Sequence, residues 1–391
     1  MFWNIYKKEL VDAFRDRKIV FLTIFIPLLL NILAVVFFEY FLFSSDKEKV
    51  YTVAIAEHTD DTLIHYLTKV PQLDVVKSDN PIEDAKSGDA QVALVVDEHF
   101  TENIENEMTS KVMVYSESIS KSGGEASYNV YSALNHYSTT IVEERLQEKG
   151  VQMEAIQPFE IIEQSLTSDD QEMQTIQYIL SIFFPIIMVM AVMSGGLPAA
   201  TEYFAGEKEK KTIESLLITP VKRTTLVVSK WLAIATISII TVMISLLTFF
   251  IAIKGLTTEI SKAIETEQLW TLFISTLVTS VLFSLLTAAI LTIASMMSQS
   301  FKEMQTYSSP LFMLVLIPYY ALLTKAPTEL TTTHFIIPFV NVFALFKELS
   351  YGIFSISHLF ITCMSLLLFI FLLFFVMLKM FTQDRFLIPK S

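Results

Sequence analysis

GEKEKKTIESLLITPVKRTTLVVSKWLA, Gly206 to Ala233, is a basic loop that closes in a short amphipathic helix and lies between two long apolar runs. Ile213, Leu216 and Leu217 recur at i, i+3 and i+4 and give that helix one apolar face. Thr219-Pro220 ends it, because the residue before a proline avoids the helical region. A loop this rich in Lys and Arg (Lys208, Lys210, Lys211, Lys222, Arg223, Lys230) belongs on the cytoplasmic side of a membrane. Its apolar stripe must be buried, either on the chain's own spans or on a soluble partner. The surrounding charge fits a docked partner.

Outward from this loop the chain is strongly apolar. Of 391 residues, 52% are hydrophobic and 31 are Phe, which places it in the membrane class. Six apolar runs are long enough to be read as spans: Ile19 to Phe43, Ile176 to Ala200, Leu226 to Ile253, Leu269 to Met297, Ser308 to Leu323 and Ser357 to Phe381. The fifth is short and holds Pro310 and Pro318. The first 18 residues carry mixed charge and no small-residue cleavage site follows, so the first run is expected to remain as an anchor. With six spans, the Lys- and Arg-rich segments all fall on one side. Both termini are then cytoplasmic, in a multi-pass protein of the plasma membrane.

Residues 2–18 read as an interfacial helix at the lipid surface. Trp3, Tyr6, Leu10 and Phe14 form its apolar stripe, and Lys7, Lys8, Asp12, Arg15 and Asp16 its polar side. The excess of acid lies between residues 44 and 175, which are expected outside the cell; the rest of the chain is net basic. Such a distribution speaks against nucleic-acid binding. In that acidic segment, short β-branched runs (52–56, 73–76, 92–96, 112–115) alternate with helical stretches (61–69, 80–87, 101–108, 128–149). The expected fold is therefore an α-helical integral membrane protein with six transmembrane helices. A mixed α/β extracytoplasmic domain is inserted between the first and second helices. His334 to Phe354 is apolar but broken by Pro338, Asn341, Lys347, Glu348 and Gly352, and fits an outer re-entrant pair of short helices or a surface-lying helix.

Enzymatic motifs are missing from the sequence. No G-x-x-x-x-G-K-[ST] loop is formed by its 9 Gly, no zinc spacing by its 6 His, and the single Cys363 excludes a thiolate cluster and an intramolecular disulfide. No metal site and no cofactor of its own are expected. Polar groups inside apolar runs are rare and worth weighing. Asn31, Glu39 and Asn341 are the candidates for a substrate path. A residue such as Asn31 more often hydrogen-bonds a neighbouring helix than contacts substrate, and one such as Glu39 more often just reaches the interface.

Three stretches carry a family resemblance: Lys8-Glu9-Leu10, Arg15-Asp16-Arg17 and Pro27 at the start; Gly206-Glu207-Lys208-Glu209, Thr212-x-Glu214-x-Leu216-Leu217 and Thr219-Pro220-Val221 in the loop; and Pro338-x-x-Asn341 with Gly352 near the end. On these motifs the chain resembles the permease subunits of type-2 ABC exporters, and among them the NatB-like sodium-efflux permeases. The resemblance covers nearly the full length. It implies a complex of two permeases, expected as a homodimer, and two cytoplasmic ABC ATPases that bind ATP and Mg. It also implies export by alternating access. It places Glu202, Gly206, Glu207, Glu209, Thr212, Glu214, Leu217, Thr219 and Pro220 in the region that couples to the ATPase. Sodium is the expected cargo. An efflux permease for amphipathic drugs or antimicrobial peptides is the alternative, and a membrane receptor or envelope scaffold is the alternative from another class.

Overall fold

The computed structural model describes residues 2–43, 50–97, 99–117, 121–152, 171–212, 221–258, 260–261 and 266–381. These fall into two compact units. One comprises residues 1–42 and 165–391, the other residues 43–164.

Among the described residues of the first unit, six helices are long and apolar enough to cross a membrane: Phe21–Tyr40, Ile176–Glu209, Arg223–Leu256, Glu267–Met297, Phe301–Leu323 and Ile356–Phe381. This is a multi-pass membrane protein. Several of these helices run beyond the apolar runs that announce them. The fifth begins at Phe301 rather than Ser308, because Ser300 accepts a hydrogen bond from the Glu303 N–H and Glu303 accepts one from the Gln299 N–H. That S-x-x-E cap, with Glu303 reaching to the N–H one residue before the N-cap, fixes a helix start ahead of the hydrophobic stretch. Pro310 and Pro318 lie inside this helix without ending it.

The packing is tightest between the second and third spans. A Cβ on Gly195 would lie 2.5 Å from Thr241 Oγ1, and one on Gly196 would lie 2.4 Å from Ser238 Oγ. Small residues let two backbones approach where no hydrophobic force drives helices together in lipid. Hydroxyls within the bundle largely bond back to their own helix, as Thr241 does to the Ile237 carbonyl, Thr279 to Ser275 and Thr292 to Ala288.

Ahead of the first span lies α1 (Phe2–Arg15). It packs along the third span, and its protein-facing seam is Phe2, Ile5, Tyr6, Glu9 and Ala13. The expected stripe therefore divides. Tyr6 and Leu10 are half-buried, whereas Trp3 and Phe14 stay exposed. The helix turns because Glu9, the group that meets a buried cation, must face inward.

The second unit is a four-stranded sheet in the order β2-β1-β3-β4, built from β1 (Tyr51–Ala56), β2 (Leu73–Ser78), β3 (Val92–Val96) and β4 (Val112–Ser116). β1 pairs parallel with β2 and β3, and β4 is antiparallel to β3. The helices between the strands are α2 (Asp61–Thr68), α3 (Pro81–Ser87) and α4 (Phe100–Glu105), with α5 (Lys121–Glu148) following β4. Val53, Ile55, Leu63, Leu67, Leu94 and Val130 meet in its core. α5 starts seven residues before the expected Tyr128 and runs through Gly123-Gly124. Each helical Gly costs about 1 kcal/mol relative to Ala. Burial of Ala126 and Val130 on the sheet offsets that cost.

Between the fifth and sixth spans, a short helix (Thr332–Ile336) leads through Phe339, at φ 67°, into α6 (Val340–Ser350). Every residue of α6 from Asn341 onward is buried.

Candidate functional site

Three successive charges at the basic end of the bundle reach three different spans. Glu207 accepts a 2.6 Å hydrogen bond from Lys230, near the start of the third span. Lys208 donates to the carbonyls of Met296 and Ser298 (3.1 Å to Ser298), where the fourth span ends. Glu209 accepts a 2.7 Å hydrogen bond from the Phe301 N–H, where the fifth begins. Each contact suits its helix terminus or cation: an ammonium on orphan C-terminal carbonyls, a carboxylate on an orphan N-terminal N–H.

Local backbone sets up this arrangement. The second span does not stop at Ala200 but widens into a π-helical turn, Thr201–Gly206, before residues 207–209. Ser295 of the fourth span serves that turn twice, donating to the Ala200 carbonyl and accepting from the Ala205 N–H at 3.2 Å. Gly206 admits the Phe301 ring; a Cβ there would sit 2.9 Å from its tip and 3.1 Å from Glu202 Oε2. Lys211, at φ 55°, turns the chain away, and Thr212 N–H returns to the Glu207 carbonyl at 2.9 Å.

Lys230 is 1% exposed and holds two carboxylates. Besides Glu207 it donates to Glu9 Oε1 of α1 at 3.0 Å. The rings of Tyr203 and Phe204 lie 5.3 and 5.6 Å from its ammonium. Tyr203 in turn donates a 2.7 Å hydrogen bond to the Glu9 carbonyl. Taking one ammonium and two carboxylates out of water is costly, and this geometry recovers the cost through close charge-assisted hydrogen bonds and aromatic faces.

Of the residues expected to couple to a partner, Glu202, Gly206, Glu207, Glu209 and Thr212 gather here. Glu207 and Glu209 bind this chain's own helices, and Glu202 pairs with Lys210. Glu214, Leu217, Thr219 and Pro220 lie outside the described residues, as does the rest of the amphipathic helix. Glu9, Tyr203, Lys208 and Phe301 have no site role in the sequence-based expectation, and Lys230 counts there only among the cytoplasmic charges of the loop. One signal was available: Lys230 sits seven residues into a long helix, and a cation that deep in a span needs a partner.

The three residues expected along a substrate path do not meet. Asn31 is 1% exposed and donates to the Pro27 carbonyl (2.7 Å) and to Ser245 of the third span (2.6 Å). Its Oδ1 has no hydrogen-bond partner among the described residues. Asn31 also lines a cavity of about 420 Å³ between the first, second, third and fifth spans, walled mainly by apolar groups such as Leu30, Ile187, Met190 and Phe312. Glu39 is engaged in a turn beyond the third span, accepting from the Thr258 N–H at 2.6 Å and the Thr258 hydroxyl at 2.9 Å. Asn341 is fully buried in α6, with its Oδ1 on the Val342 N–H.

At the opposite end, α6 braces the bundle in a similar way. Lys347 donates to the Leu322 and Leu323 carbonyls at 2.6 and 3.1 Å, capping the fifth span. Glu348 accepts from His358 of the sixth span, with both oxygens 3.0 Å from Nδ1, and the His358 ring stacks on Phe335. Burial pushes the Glu348 carboxyl up, and the contact with His358 opposes that shift.

Such a bundle, with charged segments bracing helix ends and a small α/β unit inserted after the first span, has the build of a transport permease. The chain belongs to the ABC-2 family transporter proteins, whose family model matches residues 17–379. It is 33% identical over 391 residues, the full length of both proteins, to the ABC transporter permease protein NatB of Bacillus subtilis (strain 168). Permeases of this family are the transport components of ABC transporters, with ATP hydrolysis on a separate chain.

Proposed function

We propose that this chain is the permease subunit of an ATP-driven exporter. It sits in the plasma membrane with both termini and residues 202–230 in the cytoplasm, the 44–175 segment outside, and a second copy beside it in a two-permease, two-ATPase complex. One observation carries the reading. The segment that would meet the ATPase is bound, through Glu207, Lys208 and Glu209, to the third, fourth and fifth spans. A push on the loop is thereby delivered to three helices at once. ATP and Mg belong to the partner chain.

The proposed cargo is Na⁺, on the resemblance to NatB-like permeases. A second reading, export of an amphipathic drug or peptide, is favoured by the cavity at Asn31. Its wall is mostly hydrocarbon and offers little oxygen to replace a cation's hydration shell. Affinity purification of the tagged chain in mild detergent tests the common reading. A stoichiometric P-loop ATPase is expected to co-purify, and its absence would return the receptor or scaffold reading. ATP-driven ²²Na⁺ uptake into inverted vesicles then separates the cargoes. Uptake supports Na⁺; ATP-dependent accumulation of a cationic amphiphilic dye without Na⁺ uptake supports the second reading.

A further inference from the structure

We propose that Lys230 is a positioning residue of the transport cycle: it makes the N-terminal helix α1 move with the 206–212 segment. The inference rests on the exporter reading and adds a named carrier of motion to it.

Three pieces of chain distant in sequence meet at one ammonium. Glu9 belongs to α1, Glu207 lies at the end of the second span, and Lys230 lies seven residues into the third. Glu9 and Lys230 are 3% and 1% exposed, so water can neither screen the contact nor replace it. Tyr203, in the π-helical turn just before this segment, adds a second tie to the α1 backbone, 2.7 Å from the Glu9 carbonyl. The Tyr6 hydroxyl meets Thr236 Oγ1 at 2.8 Å, holding α1 along the third span.

The backbone shows where such a block can pivot. The first span opens with a π-helical turn at Phe21–Phe25, six residues after α1 ends; the second span closes with another at Thr201–Gly206, next to Glu207. π turns interrupt regular helix hydrogen bonding and recur at functional sites. The clasp thus lies between two irregular turns that separate it from the bodies of the first and second spans. A displacement of residues 206–212 passes through Glu207 to Lys230 and on to Glu9, and α1 delivers it to the entry of the first span. Among the described residues Glu207 Oε2 is buried without a hydrogen-bond partner, and the other oxygen of this carboxylate is held by Lys230.

The three charges can be removed together without leaving an unpaired ion. Lys230→Met strands two buried carboxylates and can simply misfold, whereas Glu9→Gln/Glu207→Gln/Lys230→Met removes all three charges together. A purely structural role predicts that the triple variant behaves as wild type. A positioning role predicts that it folds and binds the ATPase but loses the linked motion.

The test uses the permease–ATPase complex in proteoliposomes, with Cys363 replaced and spin labels at Val11→Cys/Val376→Cys or Lys211→Cys/Val376→Cys, Val376 being an exposed residue of the sixth span. In the wild type, ATP should shift both distances. Lys230→Arg should keep both shifts. The triple variant should keep the Lys211 shift and lose most of that of Val11, the Tyr203 tie to the Glu9 carbonyl remaining, with cargo exported per ATP falling roughly tenfold. An unaltered Val11 shift in the triple variant, or a wild-type Lys211 shift without a Val11 shift, overturns the proposal while leaving the exporter reading standing. A wild-type complex in which neither pair responds to ATP overturns both.

Discussion

Glu209 Oε2 accepts a 2.7 Å hydrogen bond from the backbone N–H of Phe301, the first residue of the fifth span. A carboxylate at this position satisfies an orphan donor and complements the helix dipole. Glu209→Ala is expected to cost about 1 kcal/mol. Glu209→Gln, which keeps an acceptor, should lose less. Thermal unfolding of the detergent-solubilised protein measures the difference; equal losses would show that the contact is not stabilising.

The two glycines of the second span should respond differently to rescue. Gly196→Ala meets the Ser238 hydroxyl at 2.4 Å, with Leu291 and Ile234 beyond 3 Å. Gly195→Ala meets the Thr241 Cβ itself at 2.6 Å. Overpacking of this kind typically costs about 1–3 kcal/mol. Adding Ser238→Ala should restore most of the stability of Gly196→Ala. Adding Thr241→Ala should not restore Gly195→Ala, since the Cβ remains. Yield and melting temperature after purification report both outcomes.

Glu348 gives stability a pH dependence of known sign. Burial raises its folded-state carboxyl pKa above the unfolded value. Its contribution is therefore fully present below the ordinary carboxylate pKa and is lost as pH rises through the raised value. Glu348→Gln removes this slope. The melting temperature of the variant, relative to wild type, should climb as pH rises across the mildly acidic range. A difference that stays flat or falls with pH would contradict the assignment.

The proposed orientation has a direct check. In a Cys363→Ala background, Asp61→Cys should react with an impermeant maleimide added to intact cells, and Lys211→Cys only after permeabilisation. The reverse pattern would invert the topology and remove the loop from any cytoplasmic partner.

Cavity chemistry can be probed at Asn31. Asn31→Leu deletes the bonds to Pro27 and Ser245 and costs an estimated 1–3 kcal/mol through the polar groups left unpaired. If the cavity carries the cargo, export should fall beyond the loss of folded protein. Export per folded, ATPase-bound complex distinguishes the two effects.

Much of the architecture was legible because hydrophobic length and alternation are local properties. Six runs of lipid-compatible length marked six helices, and β-branched runs such as Val92–Val96 fell on strands. Helix ends were less legible where polar residues continue the helix past its apolar part. The fifth span starts at Phe301 because of the Ser300–Glu303 cap, which a search for apolar runs passes over.

The sequence by itself determined that this is a multi-pass membrane protein with a charged loop after its second span, because apolar run length, Lys and Arg placement and motif spacing are properties of neighbouring residues. Only the tertiary structure decided where those charges go. A lysine or glutamate in GEKEKK carries no mark of whether it faces solvent, a partner or its own helices. That choice depends on which buried groups of opposite sign and which orphan helix termini come within hydrogen-bond reach: Lys230 for Glu207, the fourth-span carbonyls for Lys208, and the Phe301 N–H for Glu209. Those partners lie 23 to 92 residues away along the chain, and only the fold brings them within about 3 Å.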